Sequence, residues 1–135
     1  LDKDRFNVSI CCIAPRGPIF DAADKEGIKI YTLGIKNRWN FLKILELVKI
    51  LKELDIQILH AHLFHANILS RVIGKLFNIP VIISTEHIMG LESSWRMFIN
   101  RLTSVFVDRY IAVSKAVGIF LEKKVKINQI KILIN

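Results

Sequence analysis

The sequence is poor in the features that mark several protein classes. It has two cysteines and three prolines in 135 residues, and none of its apolar runs reaches the ~20 residues that span a bilayer. It contains no zinc-finger spacing and no aromatic-basic module of the kind that binds RNA. These absences argue against a membrane-spanning segment and against the common nucleic-acid-binding modules, so nucleic acid is not expected as a partner.

Cys11 and Cys12 are adjacent and lie inside an apolar run. Neighbouring residues on a strand point to opposite faces, which makes the two thiols poor partners for a disulfide bond with each other. We expect two small buried side chains in a reducing, cytoplasmic compartment.

Composition predicts a globular domain with an anionic partner. Apolar residues make up 52% and charged residues 24%, and the net charge of +8 comes from 20 basic and 12 acidic residues. Such an excess favours phosphorylated small molecules or acidic lipid surfaces. Because the chain begins at Leu1 and stops in an apolar run, "ILIN", we expect residues 1–135 to be one partial domain.

Hydrophobic periodicity predicts strands that alternate with helices. The predicted strands are Phe6–Ile13, Ile28–Leu33, Ile56–His60, "VIIST" after Pro80, Tyr110–Val113 and Ile130–Ile134. The predicted helices are a short segment Asp21–Glu26 ended by Gly27, a long helix Trp39–Leu54, "HANILSRVIGKLF", Trp95–Val107 capped by Ser93 or Ser94, and "KAVGIFLEKK" capped by Ser114. This order indicates an α/β fold, a Rossmann-like three-layer domain with a mainly parallel sheet.

Polar side chains gather where three predicted strands end. His62 and His65 follow one strand, Glu86 and His87 the next, and Ser114 the one after. In open parallel sheets, ligands bind outside the carboxyl ends of the strands. A ligand site is therefore predicted at that edge, with the ionisable pair Glu86–His87 suited to proton handling or to a hydrogen bond with a sugar hydroxyl.

The stretch "ILHAHLFHAN" holds three of the four histidines and raises the possibility of a metal site. It approaches the HxHxDH pattern of metallo-β-lactamase-like hydrolases, but Phe64 stands where that pattern needs an aspartate, so no metal is expected. His60 is expected to be the last, buried residue of its strand, hydrogen-bonded to a neighbour. His65 and Asn67 fall at the start of a helix, where backbone N–H groups favour anions.

Two predicted helices are basic, amphipathic and led by tryptophan: "RWNFLKILELVKILKEL" and "WRMFINRLTSVFV". We expect each to pack its apolar face on the sheet, because both are apolar enough to belong to a core. The alternative is peripheral contact with the inner face of a membrane, which would also suit the net positive charge.

Residues 55–87, "DIQILHAHLFHANILSRVIGKLFNIPVIISTEH", together with "DRYIAVSKAVGIFL" and "QIKILIN", resemble the N-terminal domain of glycosyltransferase family 4. The resemblance implies one half of a GT-B fold, the acceptor-side domain of a retaining enzyme that uses a nucleotide-sugar as donor substrate. It further implies a preceding first βα unit and a following C-terminal donor-binding domain with paired glutamates, so this chain alone is expected to be inactive. No metal or other cofactor is implied.

The resemblance also implies roles for individual residues. His87 matches an active-site histidine that faces donor and acceptor, and Glu86 belongs to the same "TEH" tail. His62 and His65 match the loop on the acceptor side of the cleft. The Ser114 hydroxyl either caps its helix or faces the cleft. The family often has a glutamate where this chain has Asn100, so no carboxylate role is expected there.

Two other functions remain open from the sequence. One is a non-catalytic α/β binding module for a phosphorylated or acidic ligand, and the other is a metallohydrolase. The donor sugar and the acceptor, whether lipid, polysaccharide or small molecule, are not specified by the sequence.

Overall fold

Helices and parallel strands alternate along the chain in a computed structural model that describes residues 2, 4–17, 19–35, 42–87 and 93–135. The chain divides into two units, Leu1–Asp55 and Ile56–Asn135. The predicted α/β class with parallel strands is confirmed. None of the helices in the described ranges is long and apolar enough to cross a membrane.

The first unit contains a parallel pair of short strands and two helices. Its elements are β1 (Ser9–Cys12), α1 (Ile19–Lys25), β2 (Lys29–Thr32) and α2 (Leu42–Glu53). Strand β1 pairs with β2 in the register Ser9↔Lys29. Gly27 follows α1 with a φ of 69°, a left-handed conformation that glycine adopts without steric cost, so the predicted helix end is confirmed. The start of the predicted helix Trp39–Leu54 lies outside the described residues.

The expectation that both cysteines are buried is wrong. Cys11 is exposed and Cys12 is only partly buried, and both are free thiols. The two residues do point to different sides of β1, as the alternation of a strand requires. The strand is apolar in sequence, but its Cys11 side is open to solvent.

The second unit is a four-stranded parallel sheet in the order β3-β4-β5-β6, with helices between the strands. Its main elements are β3 (Ile58–His62), α3 (Phe64–Leu76), β4 (Val81–Glu86), α4 (Ser94–Thr103), β5 (Arg109–Ala112), α5 (Lys115–Phe120) and β6 (Ile132–Ile134). Short helical turns extend α4 over Ser104–Phe106, extend α5 over Leu121–Val125, and precede β6 at Gln129–Lys131. The strand order follows the chain order, so consecutive strands lie side by side in the sheet.

The core of this unit includes a cluster of apolar side chains from β5 and the residues before it, from α5 and from the segment that follows α5. Its buried members are Val107, Tyr110, Ala112, Val117, Leu121, Val125 and Ile127. Helix α3 lies close against the sheet at Gly74, where a Cβ atom would come within 2.8 Å of Ile82 Cδ1. A larger residue at this position would require the side chains of Ile82 and Leu59 to shift.

Strand β3 extends two residues further than predicted. It runs through His62, so His60 is not its last residue. Ala61 is buried, whereas His60 and His62 are exposed on the opposite face of the strand. The expectation that His60 is buried is therefore wrong. An apolar run does not reveal which of the two faces of a strand is covered.

The expectation for the tryptophan-led helices is wrong for α4. The side chains that α4 buries are those of Asn100 and Thr103, whereas Trp95, Phe98 and Leu102 are exposed. Helix α2 buries Leu47 and Leu51, as expected, but it also exposes other leucines. Helix α4 has this orientation because its polar side chains belong to a buried hydrogen-bond network, described with the site below.

Candidate functional site

The candidate site lies at the carboxyl edge of the sheet in the second unit. His62 is the last residue of β3, Glu86 is the last residue of β4, and Ser114 follows β5 by two residues. Parallel pairing places His62 opposite Thr85 and Glu86 opposite Ala112, so the three strands end beside one another. The predicted convergence of these strand ends at one edge is observed.

His62 and His87 form a pair of exposed imidazoles at this edge. The distance between His62 Nδ1 and His87 Nε2 is 3.2 Å, within hydrogen-bond range. One nitrogen must donate a proton and the other must accept it, so the pair holds one shared proton when both rings are neutral. Partial burial, and then the neighbouring His87, lower the pKa of His62 below its ordinary value of 6.5.

His60 extends this pair into a row of three rings. Its Nε2 lies 2.7 Å from Thr85 Oγ1, and its ring centroid is 4.5 Å from that of His62. Partial burial, followed by the charge of His62, lowers the pKa of His60 from 6.5. The expected hydrogen bond of His60 to a neighbour is present, but at an exposed position of the strand.

Leu63 joins β3 to α3 in a strained conformation. Its φ of 69° and ψ of 157° fall in a region that is almost restricted to glycine. This strained residue turns the chain directly after His62, so that α3 begins at Phe64 next to the edge. No side chain caps the first turn of α3. Strain of this kind is concentrated at functional sites in proteins, which supports a site here.

The other two predicted residues at the surface have different surroundings. His65 is exposed in the first turn of α3, with its ring edge-on to Phe64 at 5.4 Å between centroids. The Ser114 hydroxyl accepts a hydrogen bond of 3.3 Å from the Val117 N–H and so caps α5. Of the two alternatives for Ser114, the structure contains the helix cap.

Glu86 and Asn67 lie in a buried polar network beneath the edge. Glu86 Oε1 accepts hydrogen bonds from Asn67 Nδ2 at 3.1 Å, Arg71 Nη2 at 3.4 Å and Asn100 Nδ2 at 3.4 Å. Asn67 Nδ2 also donates to the Thr85 carbonyl at 3.1 Å. Glu86 and His87 are consecutive residues at the end of β4, so their side chains point to opposite faces. The Glu86 side chain is buried, and the His87 side chain is exposed.

Arg71 is the centre of the network and is fully buried. Its Nε donates to Ser84 Oγ at 3.0 Å, and its Nη1 donates to Asn100 Oδ1 and to Thr103 Oγ1. Its guanidinium lies 5.1 Å above the ring of Tyr110. Burial raises the pKa of the Tyr110 hydroxyl, against the opposing effect of the nearby Arg71. The network binds α3 and α4 to strand β4.

Arg71 was not among the predicted site residues, and for Asn100 the sequence excluded only a carboxylate role. The available signal was a lone arginine within the apolar stretch "NILSRVIG", because a charge on a buried helix face needs a partner. Asn67 and Glu86 were predicted to contact substrate. Both side chains are buried among other side chains. Direct contact of these two residues with substrate stays a prediction, and their placement does not support it.

No cluster of three or more histidine, cysteine, aspartate or glutamate side chains suited to a metal ion occurs in the described ranges. Phe64, at the position of the missing aspartate, packs its ring edge-on to Trp95 at 5.8 Å. The groups exposed at the edge include the imidazoles of His62 and His87, which are able to donate and accept hydrogen bonds.

Comparison with known proteins gives an independent result. A family model described as Glycosyltransferase Family 4 matches residues 1–134. No curated protein matches the chain. Because the family match covers all but the final residue, and the parallel α/β architecture agrees with it, the chain belongs to glycosyltransferase family 4.

Proposed function

We propose that this chain is the acceptor-side domain of a retaining glycosyltransferase, which moves a sugar from a nucleotide-sugar to an acceptor hydroxyl. His87 is its catalytic residue, and His62 and His65 bind substrate. The observation that carries the proposal is the exposed His62–His87 pair, 3.2 Å apart at the carboxyl edge of the sheet. Membership of the family supports transferase chemistry in general.

In this proposal the protein orients the reactants and does not supply a strong base. The leaving phosphate of the donor accepts the proton of the acceptor hydroxyl on the face of the sugar from which it departs. His62 Nδ1–H donates to His87 Nε2 and holds the His87 ring in position, and His87 Nδ1–H donates a hydrogen bond to a sugar hydroxyl at the reacting centre. The lowered pKa of His62 favours its neutral form, whose tautomer with the proton on Nδ1 makes this arrangement.

The partners follow from this chemistry. The donor nucleotide is bound by a C-terminal domain of the complete enzyme, and the acceptor enters at the edge formed by β3 and β4. The reaction needs no metal in this proposal, because hydrogen bonds and the donor-binding domain stabilise the departing phosphate. The proposed location is cytoplasmic, where nucleotide-sugars are available.

The test is the replacement of His87 in the protein encoded by the complete gene. Activity is measured as nucleoside diphosphate released from a panel of UDP-, GDP- and ADP-sugars with lipid and saccharide acceptors. We expect His87→Ala to lower kcat/KM by about a hundredfold or more, since positioned hydrogen-bonding groups contribute that much to catalysis. His87→Asn, which keeps a donor, should recover part of the loss.

A His87→Ala enzyme with a kcat/KM within about threefold of wild type would contradict the assignment of His87. Release of nucleoside diphosphate from none of the donors, combined with tight binding of a phosphorylated ligand, would instead favour a non-catalytic binding module. Thermal unfolding of each variant serves as the control, because His87 is exposed and its loss should leave the fold intact.

A further inference from the structure

Helix α4 and the turn that extends it expose a continuous row of large apolar side chains. Trp95 is 54% exposed, Phe98 65%, Leu102 62% and Val105 69%. Their spacing of three or four residues places them on one side of the helix. We refer to these four residues as the α4 stripe. Single exposed apolar residues are ordinary, but a contiguous row marks an interaction surface.

The α4 stripe faces outward because the opposite side of the helix is held by the buried network. Asn100 and Thr103 are buried and receive hydrogen bonds from Arg71. Turning the apolar side inward would expose these partners and leave the guanidinium of Arg71 buried without them, which is strongly unfavourable. The exposure of the stripe is thus fixed by the fold.

Charge indicates the kind of partner. The segment 94–106, "SWRMFINRLTSVF", contains two arginines and no acidic residue, in a chain with a net charge of +8. Arg101 is exposed in the turn between Phe98 and Leu102. Tryptophan, phenylalanine and leucine on one side, flanked by arginine, is the composition of helices that lie in the interface of an anionic bilayer.

The α4 stripe begins next to the candidate site. The Trp95 ring packs against Phe64, and the Arg96 guanidinium lies 5.1 Å from the Phe64 ring and 5.5 Å from the Trp95 ring. Phe64 is the first residue of α3, two positions after His62. These contacts fix the amino end of α4 beside the edge that carries the His62–His87 pair.

From these observations we propose that the α4 stripe docks the protein on the surface of an anionic lipid membrane. The apolar side chains enter the region between headgroups and acyl chains, and Arg101 contacts the anionic headgroups. Docking would hold the candidate site next to the bilayer, so that the acceptor is carried by a lipid. This last step rests on the proposed function, whereas the docking itself does not.

The test is flotation of the full chain with vesicles. Wild-type protein should bind vesicles that mix phosphatidylglycerol with phosphatidylcholine, and bind vesicles of phosphatidylcholine alone much more weakly. We expect the double variant Phe98→Ser/Leu102→Ser to lose about tenfold or more in affinity, because two apolar side chains no longer enter the bilayer. Binding should also weaken at high salt, which screens the arginine contacts.

A matched double variant, Ile119→Ser/Ile130→Ser, removes two other exposed apolar side chains, which are 52% and 82% exposed, and should retain wild-type binding. Circular dichroism and thermal unfolding check that all variants remain folded. Equal binding by wild type and the Phe98→Ser/Leu102→Ser variant would overturn the proposal, as would equal binding to both kinds of vesicle. Sedimentation as a dimer that this variant abolishes, without vesicle binding, would assign the stripe to a second copy of the chain and overturn the membrane assignment.

The assay contains no sugar, so its result is separate from that of the activity test. A transferase that binds these vesicles but releases no nucleoside diphosphate would contradict the proposed function and leave the docking surface in place. An active transferase that does not bind the vesicles would contradict the docking surface and leave the proposed function in place.

Discussion

Leu63 has a backbone conformation that departs clearly from what its side chain prefers. At a φ of 69° the Cβ atom crowds the backbone, and such strain costs about 1–3 kcal/mol. The side chain is 54% exposed, so packing at Leu63 offsets only part of that cost. The strain persists because β3 and α3, on either side of it, are fixed by the sheet and by the buried network.

The strain at Leu63 can be measured by comparing two replacements. Leu63→Gly and Leu63→Ala both remove the side chain, but only glycine adopts a positive φ freely. We expect the glycine variant to be more stable than the alanine variant by about 1 kcal/mol in free energy of unfolding, measured with urea. Equal stability, or a more stable alanine variant, would mean that the turn does not hold Leu63 in this conformation.

At the scale of elements, the ion pair of Arg71 and Glu86 binds two helices to the sheet. Arg71 belongs to α3 and Glu86 to β4, while Asn100 of α4 contacts both. Removal of one charge leaves its partner buried without the opposite charge. Burying an unpaired charge costs far more than a pair contributes when it is complete.

We therefore expect Arg71→Met to lower the free energy of unfolding by about 3–5 kcal/mol. The double variant Arg71→Met/Glu86→Gln should lose less than the two single changes together, because neither buried charge is then left alone. Urea unfolding of the four proteins in this cycle measures the coupling.

The control for this cycle is Arg101→Met, a change of the same type on the exposed side of α4, which should alter stability by about 0.5 kcal/mol or less. An Arg71→Met variant as stable as the Arg101→Met variant would show that the network does not hold the elements together.

At the scale of the whole molecule, the row of histidines makes stability depend on pH. His60 and His62 have pKa values below 6.5 in the folded chain. Between these pKa values and 6.5 the unfolded state binds more protons than the folded state, so acid favours unfolding. The stabilising contribution is complete above pH 6.5 and is lost as the pH falls below that value.

Urea unfolding at pH 7.5, 6.5 and 5.5 tests this dependence. The free energy of unfolding of the wild-type chain should fall over that interval, and the double variant His60→Gln/His62→Gln should show a smaller fall. Comparison of the two proteins separates the histidines from the carboxylates, which begin to titrate at the acid end. The same fall in both proteins would show that the two histidines do not contribute.

Much of the whole architecture was predictable because hydrophobic periodicity is a local property of the chain. The runs "ILH", "VIIST" and "IAV", together with the predicted strand Ile130–Ile134, identified all four strands in the sheet of the second unit, and Ser114 was predicted to cap its helix. The order of strands and helices then predicts a parallel sheet, whose strand ends gather His62, Glu86 and His87 at one edge. The roles of these residues in catalysis and binding stay predictions.

What the sequence determined by itself is the α/β class, the order of the elements, the resemblance to glycosyltransferase family 4 and the edge at which polar residues collect. The tertiary structure decided which faces are covered, namely that His60 is exposed, that Glu86 turns inward to Arg71, and that α4 presents its apolar side to the surroundings. The physical reason is that a buried charge must find partners wherever the fold provides them. Arg71 donates hydrogen bonds to Asn100 and Thr103 on α4. These contacts between residues distant in sequence decide which side of α4 is buried, against the preference that its apolar periodicity indicates.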